Sequence, residues 1–202
     1  VSIDAALVRA RAVVSGANTN TAVSAEAVAF SPDGSQLLSV AFNGSILVLD
    51  SKTGKPLHSL MHKTQLASAA FDPKGELFLT AGGAELAWVA ADNSIRFWRR
   101  DGQYLRASGE SMVALDTLAC SPNGRQLAVA SRDKTVYLWG NEGRLQGSLR
   151  GFGDVINDIA YNADGSLIAT ADDLAMIKIW KADGTFVREW KHGTKKKGGV
   201  TA

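Results

Sequence analysis

Apolar and polar positions change register along this chain every five or six residues. Thr117 to Cys120 is a short apolar run closed by Ser121-Pro-Asn-Gly124. Gln126 to Ser131 is rich in Leu, Ala and Val, Arg132-Asp-Lys134 is polar, and Thr135-Val-Tyr-Leu-Trp139 is β-branched and aromatic. Gly140-Asn-Glu-Gly143 turns the chain again before Arg144 to Leu149. Pro pre-sets φ in a tight turn, and Gly accepts the positive φ that other residues resist. β-Branched and aromatic side chains suit a pleated, half-buried surface. The pattern predicts four short strands forming one antiparallel sheet, and no stretch carries a convincing helical period.

The same unit occurs four times. Its first strand and turn read Val28-Ala-Phe-Ser-Pro-Asp-Gly34, Ala69-Ala-Phe-Asp-Pro-Lys-Gly75, Leu118-Ala-Cys-Ser-Pro-Asn-Gly124 and Ile159-Ala-Tyr-Asn-Ala-Asp-Gly165. The turn glycines are 41, 49 and 41 residues apart. The third strands are Ser45-Ile-Leu-Val-Leu49, Ser94-Ile-Arg-Phe-Trp98, Thr135-Val-Tyr-Leu-Trp139 and Met176-Ile-Lys-Ile-Trp180. Fourth strands follow at Gln103 to Ala107, Arg144 to Leu149 and Thr185 to Trp190. A period near forty residues built of short strands means a stacked or radial architecture rather than one globular core.

The Ser31-Pro-Asp-Gly34 turn, the segments Asp92 to Trp98 and Asp133 to Trp139, and the forty-residue period resemble the WD-repeat β-propeller family. The resemblance covers nearly the whole chain. It implies an all-β fold, a β-propeller in which each four-stranded antiparallel sheet is one blade around a central channel. Four complete repeats fall at about 23–62, 66–108, 114–151 and 155–192, with flanking partial strands. Asp92, Trp98, Asp133, Trp139, Asp173 and Trp180 are its structural repeat residues. The family's Gly-His pair is eroded: His62 and His192 remain and Arg150-Gly151-Phe152 has lost it. Leu49 stands where the first Trp would be, Asn43 where its Asp would be, and Asp173 lies seven residues before Trp180 rather than six. These departures put the family's Asp–His–Ser/Thr–Trp hydrogen-bond network in doubt in every blade.

Residues 1–15 read as a lone fourth strand, since Val8, Ala10, Ala12 and Val14 recur with period two. A short helix with Ile3, Leu7, Ala10 and Val14 on one face is the competing reading. Residues 199–202 look like the start of a further blade. An unclosed set of blades exposes broad apolar faces. Three readings follow, in order of preference: a segment of a longer propeller, self-association with a second copy that completes the ring, or a compact four-bladed ring. The longer second repeat places its surplus in Ala81 to Ala91, between second and third strands. A competing register, pairing Glu85 to Asp92 with Gln126 to Asp133, moves it to the first turn.

The bulk numbers narrow the function. Hydrophobic content of 46%, charged content of 21% and a net charge of +2 are ordinary for a folded protein and too weakly basic to argue for nucleic acid. No apolar run nears the roughly 20 residues of a membrane span. Cys120 is the single cysteine, so there is no internal disulfide framework, which suits a reducing, cytoplasmic setting.

Catalysis has little support. His58, His62 and His192 lie in different repeats, and no metal-ligand spacing, nucleophile elbow or phosphate-binding Gly loop is present. We expect no cofactor and no catalytic or metal residues. The resemblance implies that second-to-third strand turns and first-strand entries share one face. That places Phe42, Trp88, Arg132 and Leu174 on it, with Lys63, Glu110 and Phe152 beside them. Aromatics amid mixed charge suit a protein or peptide partner, held within a multi-protein complex. Trp88 has no counterpart in the other repeats and is either a rim anchor or a buried strand residue. Lys195-Lys-Lys197 and the Arg96, Arg99, Arg100 and Arg106 group read as solvated rather than phosphate-binding. The expected function is a non-catalytic interaction scaffold. The alternatives are a propeller hydrolase or lyase using the channel, and a structural subunit inside a large assembly.

Overall fold

The computed structural model describes residues 24–83, 93–108 and 113–192. Strands account for nearly all regular structure among them, in four four-stranded antiparallel sheets. Sheet 1 is β1 (Ala25–Phe30), β2 (Gln36–Ala41), β3 (Ser45–Asp50) and β4 (Pro56–Met61). Sheet 2 is β5 (Leu66–Phe71), β6 (Leu77–Gly82), β7 (Ile95–Arg99) and β8 (Tyr104–Ser108). Sheet 3 is β9 (Leu115–Cys120), β10 (Gln126–Ser131), β11 (Thr135–Gly140) and β12 (Leu145–Leu149). Sheet 4 is β13 (Ile156–Tyr161), β14 (Leu167–Asp172), β15 (Met176–Lys181) and β16 (Phe186–Lys191). In each, strands follow one another in chain order, so every connection is a hairpin. The long connection of the second repeat lies between β6 and β7, because Leu77 pairs with Arg99 and Thr80 with Arg96.

The repeated turn explains the regularity. The Gly34 N–H donates to the Ser31 carbonyl at 2.8 Å, and Asp33 Oδ1 accepts from the Ser31 hydroxyl and the Ser35 N–H. Gly75, Gly124 and Gly165 close the same bond in sheets 2 to 4. All four glycines have φ between 68° and 73°, a region that costs other L-residues a Cβ clash.

The sheets stack face to face through their first strands: β1 packs on β5, β5 on β9 and β9 on β13. Each sheet has a forward face, toward the next sheet, and a back face. Leu38, Val40, Ile46 and Val48 form the forward face of sheet 1 and meet Leu66, Phe71, Phe78 and Trp98 on the back of sheet 2. Leu79, Ala81, Ile95 and Phe97 continue the series against Leu115, Leu118 and Leu127. Ala128, Ala130, Val136 and Leu138 then meet Ile156, Ile159, Ile168 and Trp180. Among the described residues no comparable packing joins sheet 4 back to sheet 1. The core therefore lies between sheets, at three junctions, and none of it lies within a sheet.

Candidate interaction surface

One rim of this stack is built by a bond that recurs in every sheet. The first residue of the second-to-third strand connection donates its N–H to the carbonyl just before the first strand. The pairs are Phe42 to Ser24, Gly83 to Gln65, Arg132 to Ala114 and Asp173 to Val155, at 3.0–3.2 Å. This tie brings the variable connections and the first-strand entries onto one face. Immediately inside it, each first strand bulges by one residue. Glu26, Ala67, Asp116 and Asn157 are the residues skipped in the pairing with the second strand. A bulge re-aims a side chain away from the ladder. Here it sets a polar group at the rim in three sheets of four.

Two of the bulge residues engage the tie residue of their own sheet. Arg132 Nε donates to Asp116 Oδ1 at 2.8 Å, and Asn157 Nδ2 donates to Asp173. Asp116 is the more strained electrostatically. Its Oδ2 is buried and takes no donor among the described residues. Burial disfavours the ionised form and pushes its carboxyl up to about 6, and Arg132, half-exposed, bonds only one of the two oxygens. A small cleft of about 80 Å³ crosses the rim between sheets 1, 2 and 3, lined by Glu26, Phe42, Gln65, Ala67, Asp116 and Arg132 among others.

Phe42, 51% exposed, and Arg132 thus share one cleft. Leu174 is also exposed but sits on sheet 4, its Cδ1 over the backbone of Gly153. Lys63 is exposed in the connection from β4 to β5. Phe152 is half-buried: its ring lies 5.5 Å from the Trp180 ring and Lys178 Nζ lies 5.5 Å from its own centroid, so it packs the third junction. Trp88, Glu110 and Asp92 lie outside the described residues, as do the segments 1–15 and 199–202. Glu26, Asp116 and Asn157 were not singled out from the sequence. Their signal was a polar residue at a constant offset, eight positions before each turn glycine.

The repeat residues divide by sheet. Trp98 Nε1 donates to Thr80 Oγ1 at 3.0 Å and Trp180 Nε1 to Thr170 Oγ1 at 3.2 Å, so the Trp–Thr part of the network is present in sheets 2 and 4. Sheet 3 pairs Trp139 with no such hydroxyl, since Val129 occupies the position of Thr80 and Thr170. Asp133 is exposed and accepts the Tyr137 hydroxyl at 2.6 Å. In sheet 4 the buried turn carboxylate is Asp172, which accepts the Leu174 and Met176 N–H groups, while Asp173 is exposed at the rim.

Comparison with known proteins agrees with this architecture. The family model described as "WD domain, G-beta repeat" matches residues 13–50, 54–99, 101–140 and 143–181. Three of these matches each begin with the outer strand of one sheet and end with the third strand of the next, so the sequence unit straddles a junction. The chain is 27% identical over 169 residues to THO complex subunit 3 of Arabidopsis thaliana, covering 82% of this chain and 49% of that protein. It is 31% identical over 113 residues to activating molecule in BECN1-regulated autophagy protein 1B of Danio rerio, covering 55% of this chain and 8% of the relative. It is 25% identical over 177 residues to the 77 kDa echinoderm microtubule-associated protein of Strongylocentrotus purpuratus, covering 83% and 25%. The chain therefore spans half or less of each of these relatives.

Proposed function

The chain belongs to the WD-repeat family, proteins built from the WD domain or G-beta repeat, and we propose that it is a non-catalytic scaffold whose rim cleft receives a protein or extended peptide. The observation that carries this reading is the repeated rim tie. It fixes the backbones of Phe42, Gly83, Arg132 and Asp173 at equivalent places on stiff sheets, so the side chains of Phe42, Arg132 and Asp173 meet a partner already positioned. Pre-organised loops lose little entropy on binding, which lets many weak contacts add up. The cleft offers an exposed aromatic ring, two carboxylates and a guanidinium. That mixture suits the polar, aromatic-rich surfaces by which proteins recognise one another.

The role is presentation rather than reaction. Burial pushes the Cys120 thiol up to about 12, so it supplies no thiolate nucleophile at neutral pH. Among the described residues no group of three or more His, Cys, Asp or Glu converges as a metal site would. One relative is named as a complex subunit, which supports membership of a multi-protein complex for this chain too.

The test is quantitative co-purification from source cells of the wild type, a Phe42→Ala/Asp116→Ala rim variant and a Tyr104→Ala variant on the outer edge of sheet 2. We expect the main partners to fall at least tenfold with the rim variant and to persist with Tyr104→Ala. Equal recovery by all three proteins would exclude the cleft.

A further inference from the structure

The three junctions define what a forward face fits: the back face of a sheet of the same repeat. Back faces present a cross-strand row, Phe71–Phe78–Trp98 in sheet 2, Cys120–Leu127–Trp139 in sheet 3 and Tyr161–Ile168–Trp180 in sheet 4. Sheet 1 carries the corresponding row, Phe30–Leu37–Leu49. Phe71 is 7% exposed, yet Phe30 at the same place is 55% exposed. At the other end, the forward face of sheet 4 carries Ala160, Ala169, Ala171, Ile177 and Ile179, the positions that in sheets 1 to 3 build the junctions. Leu38, Ala128 and Val136 are fully buried there, whereas Ala169, Ile177 and Ile179 are half-buried and Ala160 is exposed. Trp190, paired with Ile177, is 45% exposed, while its counterpart Leu149, paired with Val136, is 0% exposed.

The turn glycines give an independent sign. A Cβ on Gly75, Gly124 or Gly165 would lie 3.1, 3.7 or 3.4 Å from the proline Cδ of the preceding sheet, Pro32, Pro73 or Pro122. A Cβ on Gly34 would meet nothing within 4 Å. The outer turn repeats the result. Gly102, Gly143 and Gly184 approach the fourth or third strand of the preceding sheet, and Gly54 meets nothing. Sheet 1 is thus built to sit behind another sheet at two separate places along its edge.

We propose that the forward face of sheet 4 is a self-association surface, and that it takes the back face of sheet 1 from a second copy of this chain. The fit is argued from continuity: the same positions already mate three times within the chain, and sheet 1 is the one described sheet whose back face is uncovered. Polar groups agree. At the second junction Arg106, paired with Phe97, donates to the Asn141 carbonyl at 2.8 Å. Arg188, paired with Ile179, is its equivalent in sheet 4, and the residue equivalent to Asn141 in sheet 1 is Ser51, beside Asp50. A head-to-tail contact leaves one face open on each partner, so two copies satisfy every face by making it twice and closing.

Equilibrium sedimentation of the 202-residue chain at micromolar concentration tests this. We expect twice the 21.4 kDa of one chain. Ile177→Lys/Ile179→Lys on one face and Phe30→Lys on the other should each raise the dissociation constant at least tenfold, while Tyr104→Lys on the outer edge leaves it unchanged. Circular dichroism checks that each variant keeps its strands, and because Phe30 and the two isoleucines are not fully buried we expect all to fold. A monomeric wild type overturns the proposal. So does a mass that climbs without limit with concentration, and so does a dimer indifferent to charges on both faces.

Discussion

Phe71 and Phe30 close the same strand of the same motif, and one is buried while the other stands half in water. The same contrast runs through whole sheets. β6 and β10, in the middle of the stack, are buried at every position but the first, whereas β14 in sheet 4 alternates between buried and half-buried. Local sequence does not separate these strands, since all three are six-residue, mainly apolar runs ending in a small or polar residue. What separates them is a neighbour on each side. In a stacked repeat, stability is a sum of weak intrinsic terms and junction terms. A side chain's contribution is therefore set by the junction it belongs to.

The largest test of that statement compares Phe78→Ala with Leu37→Ala. The two residues are equivalent, each second in its cross-strand row. Phe78 is fully buried, 6.0 Å from the Trp98 ring in a parallel stack and 5.9 Å from Phe71 edge-on. Removing it leaves a cavity at the first junction and should cost about 3–5 kcal/mol. Among the described residues Leu37 faces no preceding sheet, and its loss should cost under about 1 kcal/mol at concentrations where the chain is monomeric. Urea midpoints at constant slope read both. Similar costs at the two positions would mean that the sheets, not the junctions, hold the stability.

Asp116 extends the comparison to the rim. The corresponding Glu26 in sheet 1 is exposed, but Asp116 in sheet 3 is largely enclosed beside Arg132. Its carboxyl titrates near 6 in the folded chain against 3.8 for the free group, because burial disfavours the ionised form. A raised folded value means that the folded state holds the proton more tightly than the unfolded one. This contribution to stability is complete below pH 3.8 and is lost as pH rises through about 6. Asp116→Asn should remove that slope between pH 4 and 6 by an amount on the order of 1–3 kcal/mol. Glu26→Gln should leave it in place. Thermal unfolding of the three proteins across that range checks the sign, and a wild type whose excess stability over Asp116→Asn grows with pH would reverse it.

These contrasts also mark how far the sequence could be read. Strand identities were legible because period-two apolar runs and Pro/Gly turns are local: the run Gln126 to Ser131 is β10 to the residue. The inserted connection was resolvable in its preferred place because Gly75-Glu-Leu-Phe-Leu-Thr-Ala81 matches Gly165-Ser-Leu-Ile-Ala-Thr-Ala171 and forms the equivalent strand. One face for Phe42 and Arg132 was legible only through the resemblance to the WD-repeat family, which implies where equivalent turns lie. The bulges were harder to read, because their trace is one polar residue eight positions before the turn glycine and sheet 2 has Ala67 there. So was the partition between Asp172 and Asp173, where a one-residue shift decides which carboxylate caps the turn and which faces water. The resemblance sets Phe152 beside the partner face, and only its position against Trp180 shows that it packs the third junction.

The smallest predicted effect compares two inner sheets. Sheet 2 satisfies its tryptophan with Thr80, whose hydroxyl is fully buried and 3.0 Å from the indole nitrogen. Sheet 3 has Val129 at that position, and Trp139 is half-buried rather than enclosed. Thr80→Val removes the acceptor while keeping the shape. It should cost about 1–2 kcal/mol, the worth of one hydrogen bond plus the penalty of a buried indole N–H left without a partner. Val129→Thr is the reverse experiment. Its hydroxyl must be buried, and only a bond from Trp139 would offset that, so the net change should stay within about 1 kcal/mol of zero. If Val129→Thr costs as much as Thr80→Val, Trp139 does not reach the position that Trp98 occupies. The two inner sheets would then differ in the geometry of their tryptophans and not merely in one methyl group exchanged for a hydroxyl.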